Sequence, residues 1–308
     1  MPNYILGPYG GDENPLMPLG QVHIFAGESG AGKTTLLLQL LKAMQTGEEL
    51  FGMIPTAPQK VVYVTFDRSE VETMVTVKRV FQEVEPKFDI LKLRVTKPLD
   101  ARSADHRLES TLNTIRDKFP EATVYVIDAF AILCPHGNIN DYLNVAEWLQ
   151  RIQDFTEKTG VAIIGITHSA KEREGARVIA PRQKMLGSVA GAGFTSCGVV
   201  VMRTKPDSDD RTVYLLPRNS PEFTVQCGLD QFGRLCPDMR ELDDKQFYFW
   251  TKLQEHWTPG QIFTLGDTMA IAQQLKVSKP TAHMWLQGFI KDGRLTKGGH
   301  GKYYLTPP

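Results

Sequence analysis

The 308-residue sequence has no hydrophobic run of the roughly 20 residues that a membrane-spanning helix needs. Its longest apolar stretch, residues 123–134, is interrupted by Asp128. The first 16 residues contain neither the basic nor the apolar segment with which a secretory signal begins. From these absences we expect a soluble cytoplasmic protein without a membrane partner.

Cysteine is also scarce, and charge of one sign does not dominate. The four cysteines form no C-x-x-C pair, which argues against a zinc site or a disulfide framework. Lys and Arg number 35 and so do Asp and Glu, so bulk charge alone would not hold the protein on nucleic acid. With 42% hydrophobic and 23% charged residues, the chain resembles an ordinary globular protein of one large and one small domain.

Short apolar runs alternate with longer amphipathic stretches over the first two thirds of the chain. Strands are predicted at 22–27, 60–66, 90–95, 122–130 and 161–168, and helices at 33–47, 69–84, 109–119 and 144–160. The strands are almost continuous in Val and Ile, which favours a parallel sheet covered on both faces. The predicted fold class is therefore α/β with a mostly parallel sheet.

The pattern changes after residue 195. Two paired strands, 197–204 and 211–218, are expected to close the edge of the sheet. We predict an ATPase domain over 1–220, a linker over 221–244 that is marked by Gly, Pro and Asp, and a second domain over 245–308. That last segment carries eight Lys and Arg against three Asp and Glu, so the neutral whole contains a basic end.

A phosphate-binding loop is the strongest motif. Residues 27–34, GESGAGKT, fit G-x-x-x-x-G-K-[ST] between a predicted strand and a predicted helix. Glycines let the backbone N–H groups turn inward, and the helix N-terminus attracts phosphate. Lys33 would reach the β- and γ-phosphates and Thr34 would ligate Mg²⁺. The predicted ATP-binding residues are Gly27, Glu28, Ser29, Gly30, Ala31, Gly32, Lys33, Thr34 and Thr35.

Three further residues stand at the ends of predicted strands. Asp128 follows the run VYVI and is the best candidate for the second Mg²⁺ ligand. Asp67 could orient the attacking water, or it could cap the helix that opens at Ser69. His168 could form a hydrogen bond to the γ-phosphate, or it could be structural.

A guanine-recognition element is also suggested by residues 204–207, TKPD. The D-x-x-G expected after the Mg²⁺ carboxylate is absent, since Ala-Phe-Ala follows Asp128. We therefore expect ATP as the nucleotide.

These motifs in this order resemble the RecA-like ATPase core of hexameric replicative helicases, above all the small RepA-type plasmid and phage helicases, with KaiC-like and RadA-like ATPases as relatives. The resemblance covers roughly residues 15–220. It implies that Asp67 takes the place of a catalytic Glu and that His168 couples the γ-phosphate to the loop after it. It also implies that Arg218 is a basic finger reaching into a neighbour's site, with Arg203 and Arg211 as alternatives. Such a finger implies a ring, expected to be hexameric.

Residues 169–187 follow His168 as the central-pore loop of that family does. Their basic residues would bind the backbone of single-stranded DNA, and a solvated loop is the alternative interpretation. The proposed contacts are Lys171, Arg173, Arg177, Arg182 and Lys184.

The last 64 residues predict a winged helix: helices at 245–257, 269–275 and 279–293, and two short strands about a Gly-Gly tip. Such a domain binds duplex DNA or docks on a protein, here a replication protein. The candidate DNA contacts are Ser278, Lys279, Thr281, His283, Lys297 and Lys302, with His300 beside them on the wing.

The combined interpretation is an ATP- and Mg²⁺-dependent DNA motor, a small replicative helicase of a plasmid, phage or mobile element. Two alternatives stay open. One is an ATPase switch or loader that sits on DNA without unwinding it, and the other is a DNA-binding regulator whose assembly ATP controls.

Overall fold

The computed structural model describes residues 4–7, 15–51, 53, 55, 59–93, 101–134, 142–169, 181–185, 193–204, 208–220, 222–237, 244–299 and 301–306. The chain divides into two compact units, residues 1–237 and 238–308. Within the described stretches, no helix has both the length and the apolar surface to cross a membrane.

The larger unit alternates strands and helices along the chain. Its strands are β1 (Tyr4–Leu6), β2 (Met17–Pro18), β3 (Val22–Gly27), β4 (Val61–Thr65), β5 (Asp89–Lys92), β6 (Val124–Asp128), β7 (Ala162–His168), β8 (Cys197–Arg203), β9 (Arg211–Pro217), β10 (Phe223–Leu229) and β11 (Leu235–Pro237). Its helices are α1 (Lys33–Thr46), α2 (Glu70–Phe81), α3 (Ala101–Lys118) and α4 (Tyr142–Thr159), with 3₁₀ turns at Phe130–Leu133 and Pro181–Lys184. The strands and helices predicted between residues 22 and 218 are therefore confirmed, with shifts at their ends.

Nine of these strands form one sheet in the order β11-β10-β9-β8-β3-β7-β6-β4-β5. The six strands from β8 to β5 run parallel, whereas β9, β10 and β11 join by antiparallel pairing. This confirms the predicted α/β class with a mostly parallel sheet and a RecA-like core. Strands β3, β4 and β6 are buried along their whole length, as their continuous apolar sequences indicated.

Helices cover both faces of the sheet, and successive strand residues point to opposite cores. Along β3, Phe25 belongs to the core that α1 and α2 complete, while Ile24 belongs to the core that α3 and α4 complete. Leu37 of α1 is buried in the first of these cores, and Trp148 of α4 is buried in the second. The carboxyl ends of the parallel strands are thereby fixed along one edge, where such folds bind their ligands.

The linker predicted over 221–244 is wrong for residues 222–237, and the sheet does not end at 211–218. Strand β10 pairs with β9, and β11 pairs with β10. Cys227 and Leu235 are buried in the first core. Gln39 of α1 donates to the Leu235 carbonyl and accepts from its N–H, both at 2.9 Å. Burial and hydrogen bonding, rather than composition, decide the structure of this segment.

The smaller unit contains α5 (Asp244–His256), β12 (Ile262–Thr264), α6 (Met269–Gln274), α7 (Lys279–Lys291), β13 (Leu295–Lys297) and β14 (Lys302–Leu305). Its three strands form an antiparallel sheet in the order β12-β14-β13. An aromatic core holds the unit together, with Phe249 and Trp285 rings 5.5 Å apart and Trp250 and Phe289 rings 4.9 Å apart. The three predicted helices and the two-stranded hairpin are present, and β12 is an element that the sequence did not reveal.

Candidate nucleotide site

The loop between β3 and α1 can be built only with glycine at its first position. Gly27 has φ +151°, and a Cβ placed there would lie 2.2 Å from the Val201 carbonyl oxygen of the neighbouring strand. Gly32, with φ +107°, is the N-cap of α1, and no side chain caps that end of the helix. The N–H groups of the first helical turn therefore have the arrangement that binds phosphate oxygens.

Lys33 lies beneath this loop with only 4% of its surface exposed. Its Nζ donates to the carbonyls of Gly27 at 2.9 Å and Glu28 at 2.8 Å, and it lies 3.2 Å from Nδ1 of His168. Burial lowers the pKa of Lys33 to about 8, against the pull of Asp128 in the other direction. The two carbonyl oxygens accept the hydrogen bonds that the Lys33 ammonium group would give to phosphate oxygens if a nucleotide were bound.

Asp128, the last residue of β6, is buried and has a neighbour that the sequence did not single out. The Tyr63 hydroxyl donates to its Oδ2 at 2.7 Å, and both side chains are almost fully buried. Burial raises the pKa of Asp128, whereas the Tyr63 hydrogen bond lowers it. One carboxylate oxygen is thus held, and the carboxylate also lines the cleft beside Thr34.

The cap of α2 separates the two interpretations of Asp67. Ser69 is the N-cap: its Oγ accepts from Glu72 N at 3.1 Å, and Glu72 Oε2 accepts from Ser69 N at 2.9 Å. Asp67 is not used as a helix cap. It is exposed, follows the end of β4 and lines the same cleft as Lys33 and Asp128.

His168 ends β7 and links the phosphate loop to the next segment. Besides its contact with Lys33, it is followed by Ser169, whose N–H donates to the Gly27 carbonyl at 3.0 Å. Partial burial lowers the pKa of His168, and the nearby Lys33 charge lowers it further. The imidazole is therefore neutral near pH 7, with Nδ1 as a hydrogen-bond acceptor for Lys33.

A cleft of about 310 Å³ brings these side chains together at the carboxyl edge of the sheet. Its lining residues are Ser29, Gly30, Ala31, Gly32, Lys33, Thr34, Thr35, Asp67, Arg68, Thr76, Arg79, Asp128, Ile166, His168, Arg211, Leu229 and Gly233. The sequence did not indicate Arg68 and Arg79, nor Leu229 and Gly233, which belong to the predicted linker. Arg79 donates to the Thr35 hydroxyl at 3.3 Å from a different helix, a contact that no local pattern could reveal.

The three arginines proposed as fingers occupy different ends of the sheet. Arg203 donates to the Gly30 carbonyl at 3.3 Å, and the buried Arg211 donates to the Ala31 carbonyl at 3.2 Å, so both serve the phosphate loop of their own chain. Arg218 is exposed and follows Pro217, which pairs with Cys197 at the opposite end of β8. It lies away from the cleft of its own chain.

The predicted DNA contacts are only partly described. Lys171, Arg173 and Arg177 lie outside the described residues, as do the side chains of Lys184 and Thr281. Arg182 forms an ion pair with Glu222 and donates to the Pro217 carbonyl at 3.1 Å, so its charge is already partnered. The remaining candidates all have exposed side chains in the smaller unit: Ser278, Lys279, His283, Lys297 and Lys302.

The donor set fits a nucleotide triphosphate with its magnesium ion. Backbone N–H groups and Lys33 would hold the phosphates, while the Thr34 hydroxyl and Asp128 carboxylate offer the hard oxygen ligands that Mg²⁺ prefers. When bound, the ion would neutralise charge on the phosphates. Asp67 lines the same cleft, and its carboxylate would be the group to orient a water molecule and accept its proton.

Comparison with known proteins agrees with this geometry. A family model described as an AAA domain, AAA_25, matches residues 13–174, just over half of the chain. The match includes the phosphate loop and extends past Asp67, Asp128 and His168. No curated protein matches the chain significantly. The chain belongs to this AAA domain family of P-loop ATPases.

Proposed function

We propose that this ATPase is a ring-forming DNA motor of the cytoplasm, most simply a small replicative helicase of a plasmid, phage or mobile element. The observation that carries the proposal is the connection at His168. Its ring contacts Lys33, and the next residue, Ser169, is hydrogen-bonded to Gly27. A segment with five basic residues in 169–187 therefore starts directly at the phosphate loop. A change in position at the γ-phosphate could therefore move the basic segment directly through His168 and Ser169, with no helix or strand between them.

The location of Arg218 supports assembly of several chains. An arginine completes many phosphoryl-transfer sites by stabilising charge in the transition state. Arg218 is too far along β9 to reach the cleft of its own chain, so a role in hydrolysis requires a neighbouring chain. A closed ring, which we expect to be hexameric, supplies such a neighbour to each site.

A strand-displacement assay tests the proposal. The purified protein with ATP and Mg²⁺ is expected to release a labelled strand from a forked duplex, and single-stranded DNA is expected to stimulate ATP turnover. Lys33→Ala is the matched control and should lose both activities. Particle images with ATP and single-stranded DNA should show a closed ring around the strand.

The shorter Asp67 in place of Glu favours one alternative, a DNA-bound ATPase switch or loader. DNA-stimulated turnover without strand displacement would support the switch and contradict the helicase. Turnover that ignores single-stranded DNA would instead support a regulator whose assembly responds to ATP.

The smaller unit is proposed to be a winged helix that binds duplex DNA. Support comes from its order of elements and from the exposed Lys279, Lys297 and Lys302 at the start of α7 and about the β13–β14 tip. These three lysines, and not the net charge of the unit, would attract the DNA, since the whole of 238–308 carries nine Lys and Arg against seven Asp and Glu.

Replacing those three lysines with alanine tests this contact. Each lost phosphate contact should reduce the slope of log K against log salt by about 0.9. Removing the same charge at Lys87, Lys118 and Lys158 of the larger unit is the matched control. An unchanged duplex affinity and salt slope would make the unit a protein-docking module.

A further inference from the structure

Asp67 stands on a short turn, residues 66–68, that continues β4 toward the nucleotide cleft. The turn is joined to neighbouring elements through its backbone. Phe66 N donates to the Asp128 carbonyl at 2.8 Å, and Arg68 N donates to the Thr65 hydroxyl at 3.3 Å. Phe66 and Arg68 are the residues on either side of Asp67, and the Arg68 carbonyl accepts a long hydrogen bond of 3.4 Å from the Thr65 hydroxyl.

Lys92 contacts the carbonyls of both residues from a different strand. It is the last residue of β5, which forms the edge of the sheet beside β4. Its Nζ donates to the Phe66 carbonyl at 2.7 Å and to the Arg68 carbonyl at 2.5 Å. One ammonium group therefore holds the backbone immediately before and immediately after Asp67. Lys92 is half-buried and does not line the cleft.

The position of this turn matters because the side chain of Asp67 is short. An aspartate has one methylene fewer than a glutamate, so it has less freedom to correct an error in the position of its backbone. A displacement of about 1 Å in a water-orienting group can reduce turnover by up to roughly a hundredfold. The direction of the Asp67 carboxylate depends on where the turn is fixed.

We propose that Lys92 is a positioning residue for ATP hydrolysis, which acts by fixing the two carbonyls that flank Asp67. The proposal rests on the proposed water-orienting role of Asp67. Lys92 is not among the residues that line the nucleotide cleft. Its loss should therefore slow the chemical step and leave nucleotide binding to the phosphate loop intact.

Lys92→Met tests this role because methionine keeps the apolar stem and removes the ammonium group. The kcat for ATP hydrolysis should fall about tenfold. The dissociation constant of a non-hydrolysable ATP analogue should stay within about twofold, since the residues of the phosphate loop are unchanged. Lys92→Arg, which can still donate to both carbonyls, should recover much of the turnover. Lys87→Met, on an exposed lysine shortly before β5, is the matched control and should match the native protein.

A double-mutant cycle with Asp67→Asn distinguishes positioning from general stabilisation. If Lys92 acts through Asp67, adding Lys92→Met to Asp67→Asn should cause almost no further loss. Losses that multiply would overturn the role of Lys92, as would weaker analogue binding with unchanged kcat. Normal turnover in Asp67→Asn would contradict the water-orienting role of Asp67, and with it the role proposed for Lys92. The proposed DNA-motor function is tested separately by the strand-displacement assay. Thermal melts of each variant identify unfolding, and Lys92→Gln, which keeps one donor group, replaces Met if that variant does not fold.

Discussion

Lys33 offers a direct test of the nucleotide cleft, because burial lowers its pKa from 10.5 to about 8. At pH 8.5 most of the protein molecules should then carry a neutral Lys33 amine. A bound triphosphate places negative charge beside that nitrogen and favours the ammonium form. Binding of ATP should therefore take up a proton at this residue in mildly alkaline solution.

The size of the effect follows from the pKa. A change from 10.5 to about 8 corresponds to about 3 kcal/mol, at about 1.4 kcal/mol for each tenfold change in proton affinity. If bound phosphate restores the ordinary pKa, uptake should be about three quarters of a proton at pH 8.5, about half at pH 8 and about a tenth at pH 7. Without nucleotide, the unfolded chain binds more protons than the folded chain between pH 8 and 10.5. This residue therefore makes the protein more stable as pH rises through that range.

Titration calorimetry in two buffers with different ionisation enthalpies measures the uptake. With a non-hydrolysable ATP analogue, the observed enthalpy should depend on the buffer at pH 8.5 and hardly at all at pH 7. Lys33→Met should remove the difference. Equal enthalpies in the two buffers at pH 8.5 would refute the claim that Lys33 is buried with a lowered pKa and meets the phosphates.

Two further substitutions test neighbouring parts of the site. Gly27→Ala should lower the free energy of unfolding by about 3 kcal/mol or more in denaturant titrations, because the new Cβ would lie 2.2 Å from the Val201 carbonyl oxygen. Gly47→Ala is the matched control: Gly47 has open space around it, so this substitution should cost about 1 kcal/mol. Similar losses for the two variants would contradict the close approach at Gly27. Tyr63→Phe should raise the Mg²⁺ concentration needed for half-maximal turnover several-fold, because Asp128 loses the donor that holds one of its oxygens. An Mg²⁺ titration that overlays the native curve would show that the hydroxyl does not orient the carboxylate.

The phosphate loop was predictable because its chemistry is local. Glycines, Lys33 and Thr34 stand within eight residues, between a continuous apolar strand and a leucine-rich helix. The contributions of Tyr63 and Lys92 were not predictable in this way. Tyr63 donates to Asp128, which is 65 residues away in the sequence. Lys92, at the end of β5, contacts the turn that follows the neighbouring strand β4. Tyrosine within the valine run of β4 was the one visible signal.

The β10–β11 hairpin shows why composition misled at residues 221–244. Its turn is rich in polar and glycine residues, as a linker would be: Asp230 accepts from the N–H groups of Phe232 and Arg234, and Gly233 has φ +69°. The decisive contacts are again distant in sequence, because Leu235 is held by Gln39 from 196 residues away. Short strands that complete an existing sheet need little intrinsic preference of their own.

Strand β9 joins two places that would otherwise be independent. Arg211 fastens its first residue to the phosphate loop, and Arg218 follows its last residue, about 24 Å away at about 3.4 Å per residue. A strand that is hydrogen-bonded on both sides, as β9 is to β8 and β10, hardly stretches. It therefore keeps a fixed distance between its two ends, so that the phosphate loop at Arg211 and the surface at Arg218 are held in a constant geometry within one chain.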